Sequence, residues 1–186
     1  RLCVRRLAES VKQPCSLNRL SNLIKATGTP CSPSTVMEYV RYLQESCLLI
    51  SIDNFVSKFV EKETIKKHYF VDNGLLHLFI NNPNTSLLEN LCAITLYKKY
   101  AKGLYYYNRN IEVDFYVPDE GLAVQASYQM SDGETIEREV KALVALHGLC
   151  PLKRAMIITY EDEGEIERDG LRIEIRPAWK WVLEGL

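Results

Sequence analysis

Along the first part of the chain apolar residues recur every three or four positions; further on they alternate or gather in short bursts. In "RLCVRRLAESV", Leu2, Val4, Leu7, Ala8 and Val11 form a near-helical stripe that Pro14 ends. In "SLNRLSNLIKATG" the stripe is Leu17, Leu20 and Ile24, with Ser16 placed to cap the helix and Gly28 to close it. "CSPSTVMEYVRYLQESCLL" opens a third helix, where Ser32 is the cap, Pro33 fits the first helical position, and Val36, Val40 and Leu43 share a face. Two strand patterns follow, "LLISID" and "KKHYFVD", with the polar "KFVEKETIKK" as a wing between or beside them. Helices, a short turn and two strands in this order predict a winged helix-turn-helix domain over 1–72, its last helix in the recognition position.

The pattern then changes. "TSLLENLCAITLYKKYA" is an amphipathic helix, and "LYYYNRN", "IEVDFYV" and "LAVQASY" read as three strands, with a turn at "PDEG". "DGETIEREVKALVALHG" is a second long helix with Ile136, Val140, Leu143 and His147 on one face. "RAMIITY" is a buried-type strand, "EDEGEIERDG" an acidic turn, "LRIEI" a further strand and "PAWKWVLEG" a closing helix. The fold class is therefore α+β: a winged helix followed by a restriction-endonuclease-like α/β core over 80–186.

Charge sharpens the division. Residues 1–70 hold eleven Lys and Arg against six Asp and Glu, a balance of +5, while the remainder holds twelve against eighteen, −6. A basic front half makes DNA an expected partner, since phosphate neutralisation supplies most non-specific affinity. Ser34, Thr35 and Arg41 are the exposed candidates on the recognition helix, and Lys58, Lys62, Lys66 and Lys67 the candidates in the wing. Glu38, on the same helix face, opposes phosphate, and winged helices also dock proteins, so a protein target stays open beside DNA. The six cysteines are scattered without a C-x-x-C pair and read as reduced thiols of a cytoplasmic protein. No run reaches the roughly 18 apolar residues of a membrane span, and no signal peptide opens the chain, so no membrane partner is expected.

The order helix, three strands, helix, strand is the core topology of the PD-(D/E)xK nucleases, in which strand acids bind Mg²⁺ and a lysine orients the attacking water. Asp114 stands at the first acid's position, and Glu89 on the preceding helix is a candidate extra acid. Gln125 replaces the second carboxylate, and Ser127 stands where the lysine belongs. Arg138 or Lys141 on the following helix are candidates for the lysine's role. The opposing reading has Asp114 and Gln125 bonded to neighbouring backbone, with Arg138 in an internal network. There is no G-x-S-x-G elbow, and the three histidines lie far apart in sequence.

The stretches "HYFVDNGLLHLF", "LLENL", "EVDFYV", "VQASYQMSDGETIEREVKAL" and "MIITYEDEG" resemble the C-terminal region of prokaryotic AAA-type P-loop ATPases. There a domain of unknown function, built from a winged helix and a nuclease-like fold, follows the ATPase. The resemblance spans nearly all of residues 1–186 and is most specific over 69–141. It implies that this chain, which begins at Arg1, is a piece of a longer protein whose own N-terminal ATPase domain is its partner. ATP is expected only in that domain, because no G-x-x-x-x-G-K-[ST] occurs here. The expected function is a non-catalytic DNA- or protein-binding module with a degenerate nuclease-like site and no cofactor of its own. Two alternatives stay open: an active Mg²⁺-dependent nuclease using Glu89, Asp114 and Gln125 with Arg138 or Lys141, and an oligomerisation or regulatory platform.

Overall fold

The structure, a computed structural model, describes residues 2–81, 83–130 and 133–184 and is a mixed α+β chain. Arg1, the first residue of the expected winged helix, lies outside the described residues, as does Leu186, the last of the expected nuclease-like core. Packing divides the chain into two compact units, Arg1–Ile94 and Thr95–Leu186.

In the first unit α1 (Leu2–Glu9) turns Cys3, Leu7 and Ala8 inward. A short strand β1 (Cys15–Ser16) leads into α2 (Leu17–Lys25), which starts where Ser16 Oγ accepts the Arg19 N–H at 3.1 Å. Leu20, Ser21 and Ile24 are its buried face. Ser21 is polar yet fully enclosed because its hydroxyl donates to the Cys31 carbonyl at 2.8 Å, tying down the turn before α3 (Pro33–Glu45). Gly28, at φ +84°, takes the left-handed turn that α2 needs in order to stop. Ser32 caps α3 through the Thr35 N–H, and Val36 and Val40 bury against the unit's core. β2 (Leu49–Asn54) then pairs antiparallel with β3 (Ile65–Phe70), whose other side carries β1.

The stretch expected as a polar wing is partly helical: α4 (Phe59–Thr64) stands between β2 and β3. Its first turn closes because the Glu61 carboxylate accepts the Lys58 N–H at 3.2 Å, a local bond that outcompetes an extended loop. After β3, Asp72 caps α5 (Asn73–His77) by accepting the Leu75 N–H. The long helix α6 (Asn84–Tyr100) follows. The expected domain boundary falls between residues 72 and 80, whereas packing carries the first unit on to Ile94, within α6. Buried Asn90 explains the extension. It accepts the Phe70 N–H at 2.7 Å and donates to the Phe70 carbonyl at 2.9 Å, pairing with β3 as a neighbouring strand would, and also donates to Asn73 Oδ1 at 2.8 Å.

The second unit is a mixed sheet. β4 (Tyr105–Asn108), β5 (Glu112–Val117) and β6 (Leu122–Ala126) form an antiparallel meander. Its second turn contains Gly121 at φ +59°, where the amide of Lys153 approaches to 3.1 Å of where a Cβ would sit. α7 (Gly133–Leu149) crosses over so that β7 (Arg154–Thr159) lies parallel to β6. The segment expected as an acidic turn is instead an edge hairpin: β8 (Gly164–Arg168) pairs antiparallel with β9 (Leu171–Pro177), and β9 runs parallel to β7. Asp169 and Gly170, both at positive φ, are the two-residue loop that right-handed strand twist favours. The charges that read as a loop are the exposed side chains of an edge strand, which discourage further pairing. α8 (Ala178–Glu184) closes the unit by burying Trp181. Phe115, Val124, Leu143, Ile157 and Ile173 are buried in the same unit. Among the described residues no helix is long and apolar enough to cross a membrane.

Candidate functional site

The β5–β6 ladder runs from Val117↔Leu122 to Phe115↔Val124, and one step further side chains take over the pairing. Gln125 Oε1 accepts the Asp114 N–H at 2.8 Å, and Gln125 Nε2 donates to the Glu112 carbonyl at 3.1 Å. In return Asp114 Oδ2 accepts the Ala126 N–H at 3.1 Å. Asp114 and Gln125, candidates for a nuclease-like site in one reading and for bonds to neighbouring backbone in the other, thus make a side-chain-to-backbone clasp between two strands. The clasp uses both ends of an amide. A carboxylate at 125 could still accept from Asp114, but it would set an oxygen against the Glu112 carbonyl. Gln125→Glu is therefore expected to lower stability by about 1–3 kcal/mol at neutral pH, the range for a buried group left without its partner. Urea unfolding at pH 7 checks this; a glutamate variant as stable as the parent would mean the clasp carries no net energy.

Above the clasp, α7 contributes Arg138 and Glu139. The exposed Arg138 guanidinium donates from Nε and Nη2 to Glu139 Oε1 at 3.2 and 2.6 Å, and the Glu139 carboxylate is itself buried. That contact raises the Arg138 pKa, with Asp114 and Glu112 adding smaller attractions. Arg138 is therefore a cation held in the field of three acids, as a structural counter-ion would be. Lys141 points elsewhere, pairing with Glu137 at 3.4 Å in a surface group that also holds Arg168 at 3.2 Å. Ser127 is buried and donates to the Gln129 carbonyl at 3.3 Å. Among the described residues no group of three or more His, Cys, Asp or Glu is placed to hold a metal ion.

Glu89 is built into the first unit's core, where its carboxylate takes the Tyr69 hydroxyl at 2.8 Å and the Lys67 ammonium at 3.4 Å. This corrects the expectation that Lys67 reaches a phosphate: its side chain is 0% exposed. The reason is strand alternation, which puts Lys67 on the same face of β3 as Tyr69, toward α6. Lys66, on the other face, is half-buried and bonded to Asp53 at 2.7 Å across the β2–β3 pair. Lys58 is exposed and Lys62 half-buried at α4. On α3, Ser34 is exposed and hydrogen-bonded to Ser32, and the half-buried Thr35 hydroxyl also meets Ser32. Arg41 lies over the Tyr42 ring at 5.2 Å and 3.7 Å from Glu45.

Glu139 is the site residue that sequence reasoning missed. It follows Ile136 by three positions and precedes Leu143 by four, so the apolar stripe already placed it on the buried face. No family model matches the chain, and no solved structure matches it. It is 30% identical over 181 residues to the uncharacterized protein MJ1544 of Methanocaldococcus jannaschii, a match covering 90% of this chain. The chain spans 40% of that relative's length.

Proposed function

We propose that the chain is a non-cleaving binding module of a prokaryotic AAA-type ATPase, a winged helix followed by a PD-(D/E)xK-like domain whose site has become structural. The observation that carries this reading is the Gln125 amide: both of its ends bond to the β5 backbone, where a nuclease would direct a carboxylate at a metal. The element order in each unit and the basic-to-acidic change along the chain support the two-part architecture. In this reading ATP belongs to an N-terminal domain of the full protein, and the module gives the ATPase its target.

The target is a protein surface. The outward side of α3, where a DNA-reading helix needs donors and cations, presents Met37, Tyr39 and Tyr42 beside Glu38. Its one cation, Arg41, already has Tyr42 and Glu45 as neighbours. Calorimetric titration of Mg²⁺ and Mn²⁺ into the chain and into Asp114→Ala tests the site, alongside incubation with single- and double-stranded DNA. Neither cation is expected to bind in a way that depends on Asp114, and the DNA is expected to stay intact. Tight binding abolished by Asp114→Ala, together with cleavage, would restore the nuclease.

A further inference from the structure

Three thiols that the candidate site does not use gather in the first unit. Cys3 is on the inner face of α1, Cys15 begins β1, and Cys31 lies in the turn between α2 and α3. All three are buried. Cys3 and Cys31 nevertheless reach the wall of one groove, a cleft of about 550 Å³ that Ile24, Tyr39, Tyr42 and Leu43 also line. Cys15 is not among its lining residues. Burial pushes the Cys3 thiol up to about 11, and Cys31 is the next cause, with a smaller push from Cys15. A thiolate at Cys31 thus disfavours one at Cys3, the mark of two groups that share a place with little water. Position 31 is fixed by the bond from Ser21 Oγ to its carbonyl, while its Sγ makes only a long contact of 3.8 Å to the Ser32 carbonyl. The backbone of the turn is held, and the sulfur is not.

We propose that Cys3 and Cys31 are a redox pair, which a small disulfide oxidant closes into a bond fastening the first turn of α1 to the α2–α3 turn. The exchange balances in two steps. One thiol gives its proton to water, and its thiolate attacks the oxidant R–S–S–R, forming a mixed disulfide and releasing R–S⁻. The second thiol is deprotonated in the same way, attacks the cysteine sulfur of the mixed disulfide and expels the other R–S⁻. One protein disulfide forms, the two protons pass to the two R–S⁻, and the oxidant leaves as two thiols. The groove gives the oxidant a route to both sulfurs, while Cys15 is enclosed away from it. Thiols this hard to ionise react slowly, so the pair answers sustained rather than brief oxidation. Tyr39 and Tyr42 line the same groove, so the bond narrows the apolar surface beside α3. That consequence for a partner rests on the protein-facing reading of α3; the bond itself does not.

The chain carrying Cys47→Ser, which removes the exposed thiol, is equilibrated with oxidised and reduced glutathione at a series of ratios and its peptides are mapped unreduced by mass spectrometry. A cross-link between the Cys3 and Cys31 peptides, lighter than their sum by two hydrogens and lost on adding dithiothreitol, is expected. The further change Cys15→Ser is expected to leave that link in place. Cys31→Ser is expected to abolish it and to leave Cys3 carrying glutathione. Circular dichroism verifies that each variant is folded, and alanine replaces serine at any position where it is not. In the oxidised chain the urea midpoint is expected to rise above that of the reduced chain, because the bond restricts the unfolded state. Cys3 and Cys31 that stay reduced at ratios which oxidise Cys47 in the parent overturn the pair. So does a link from Cys3 to Cys15 instead, or a Cys3–Cys31 link that forms only in urea strong enough to unfold the chain. The reading of α3 is tested apart from this: DNA duplex binding by the reduced chain that Tyr39→Glu abolishes would remove that reading and leave the disulfide standing.

Discussion

Lys67→Met is expected to destabilise the protein by about 3–5 kcal/mol, the range for a buried ion pair that loses one partner. The ammonium of Lys67 and the carboxylate of Glu89 are 0% and 2% exposed, so neither charge has water to fall back on. Methionine keeps most of the stem's volume, which separates the loss of charge from the loss of packing. What remains after the substitution is an anion enclosed beside the Tyr69 hydroxyl. The double variant Lys67→Met, Glu89→Leu removes both charges and is expected to recover most of the loss, because two apolar groups cost less than a buried carboxylate that has lost an ammonium partner. Urea unfolding of the parent, both single variants and the double variant measures the coupling directly. A double variant no more stable than Lys67→Met would show that the pair is not what holds these residues inside.

That pair also shows where the sequence is legible and where it is not. Local chemistry reads well: Ser16 and Ser32 cap the helices they precede, because an N-cap depends on only three or four consecutive residues. Parity along a strand reads less well. "IKKHYF" gives Lys67 the same parity as Ile65 and Tyr69, but two adjacent lysines look like a solvent-facing pair until α6 supplies Glu89 from twenty-two positions away. The acidic hairpin fails for a different reason. Its charges suggested a loop, while the turn chemistry of Asp169–Gly170 between paired strands was the stronger signal. Asp114 and Gln125 were found from the sequence as a pair, and two opposite roles fitted them. The three bonds between β5 and β6 were not legible in the sequence, because they depend on where two strands part.

Stability is also expected to fall by about 3 kcal/mol as pH drops from 6.5 to 4, through His68 alone. Burial pushes the His68 pKa down from its ordinary 6.5 to about 4, and the nearby Lys66 ammonium pushes the same way. Its Nδ1 lies 2.8 Å from Ser51 Oγ, a partner across the β2–β3 pair that suits a neutral ring. A group whose folded pKa is depressed leaves the unfolded chain holding the extra proton between the two values. Stability is therefore complete above about pH 6.5 and declines as pH falls toward the folded value. Glu9 and Glu137, whose pKa values are lowered by arginine partners, begin to contribute only near their ordinary carboxylate range, lower on the scale. The interval from pH 6.5 to 5 thus lies above the range of those two carboxylates. His68→Gln keeps a neutral hydrogen-bonding side chain opposite Ser51 and should flatten the stability curve across that interval, at some cost in packing at pH 7. If the slope survives this substitution, it belongs to another group, and His68 is not the residue that makes the first unit acid-sensitive.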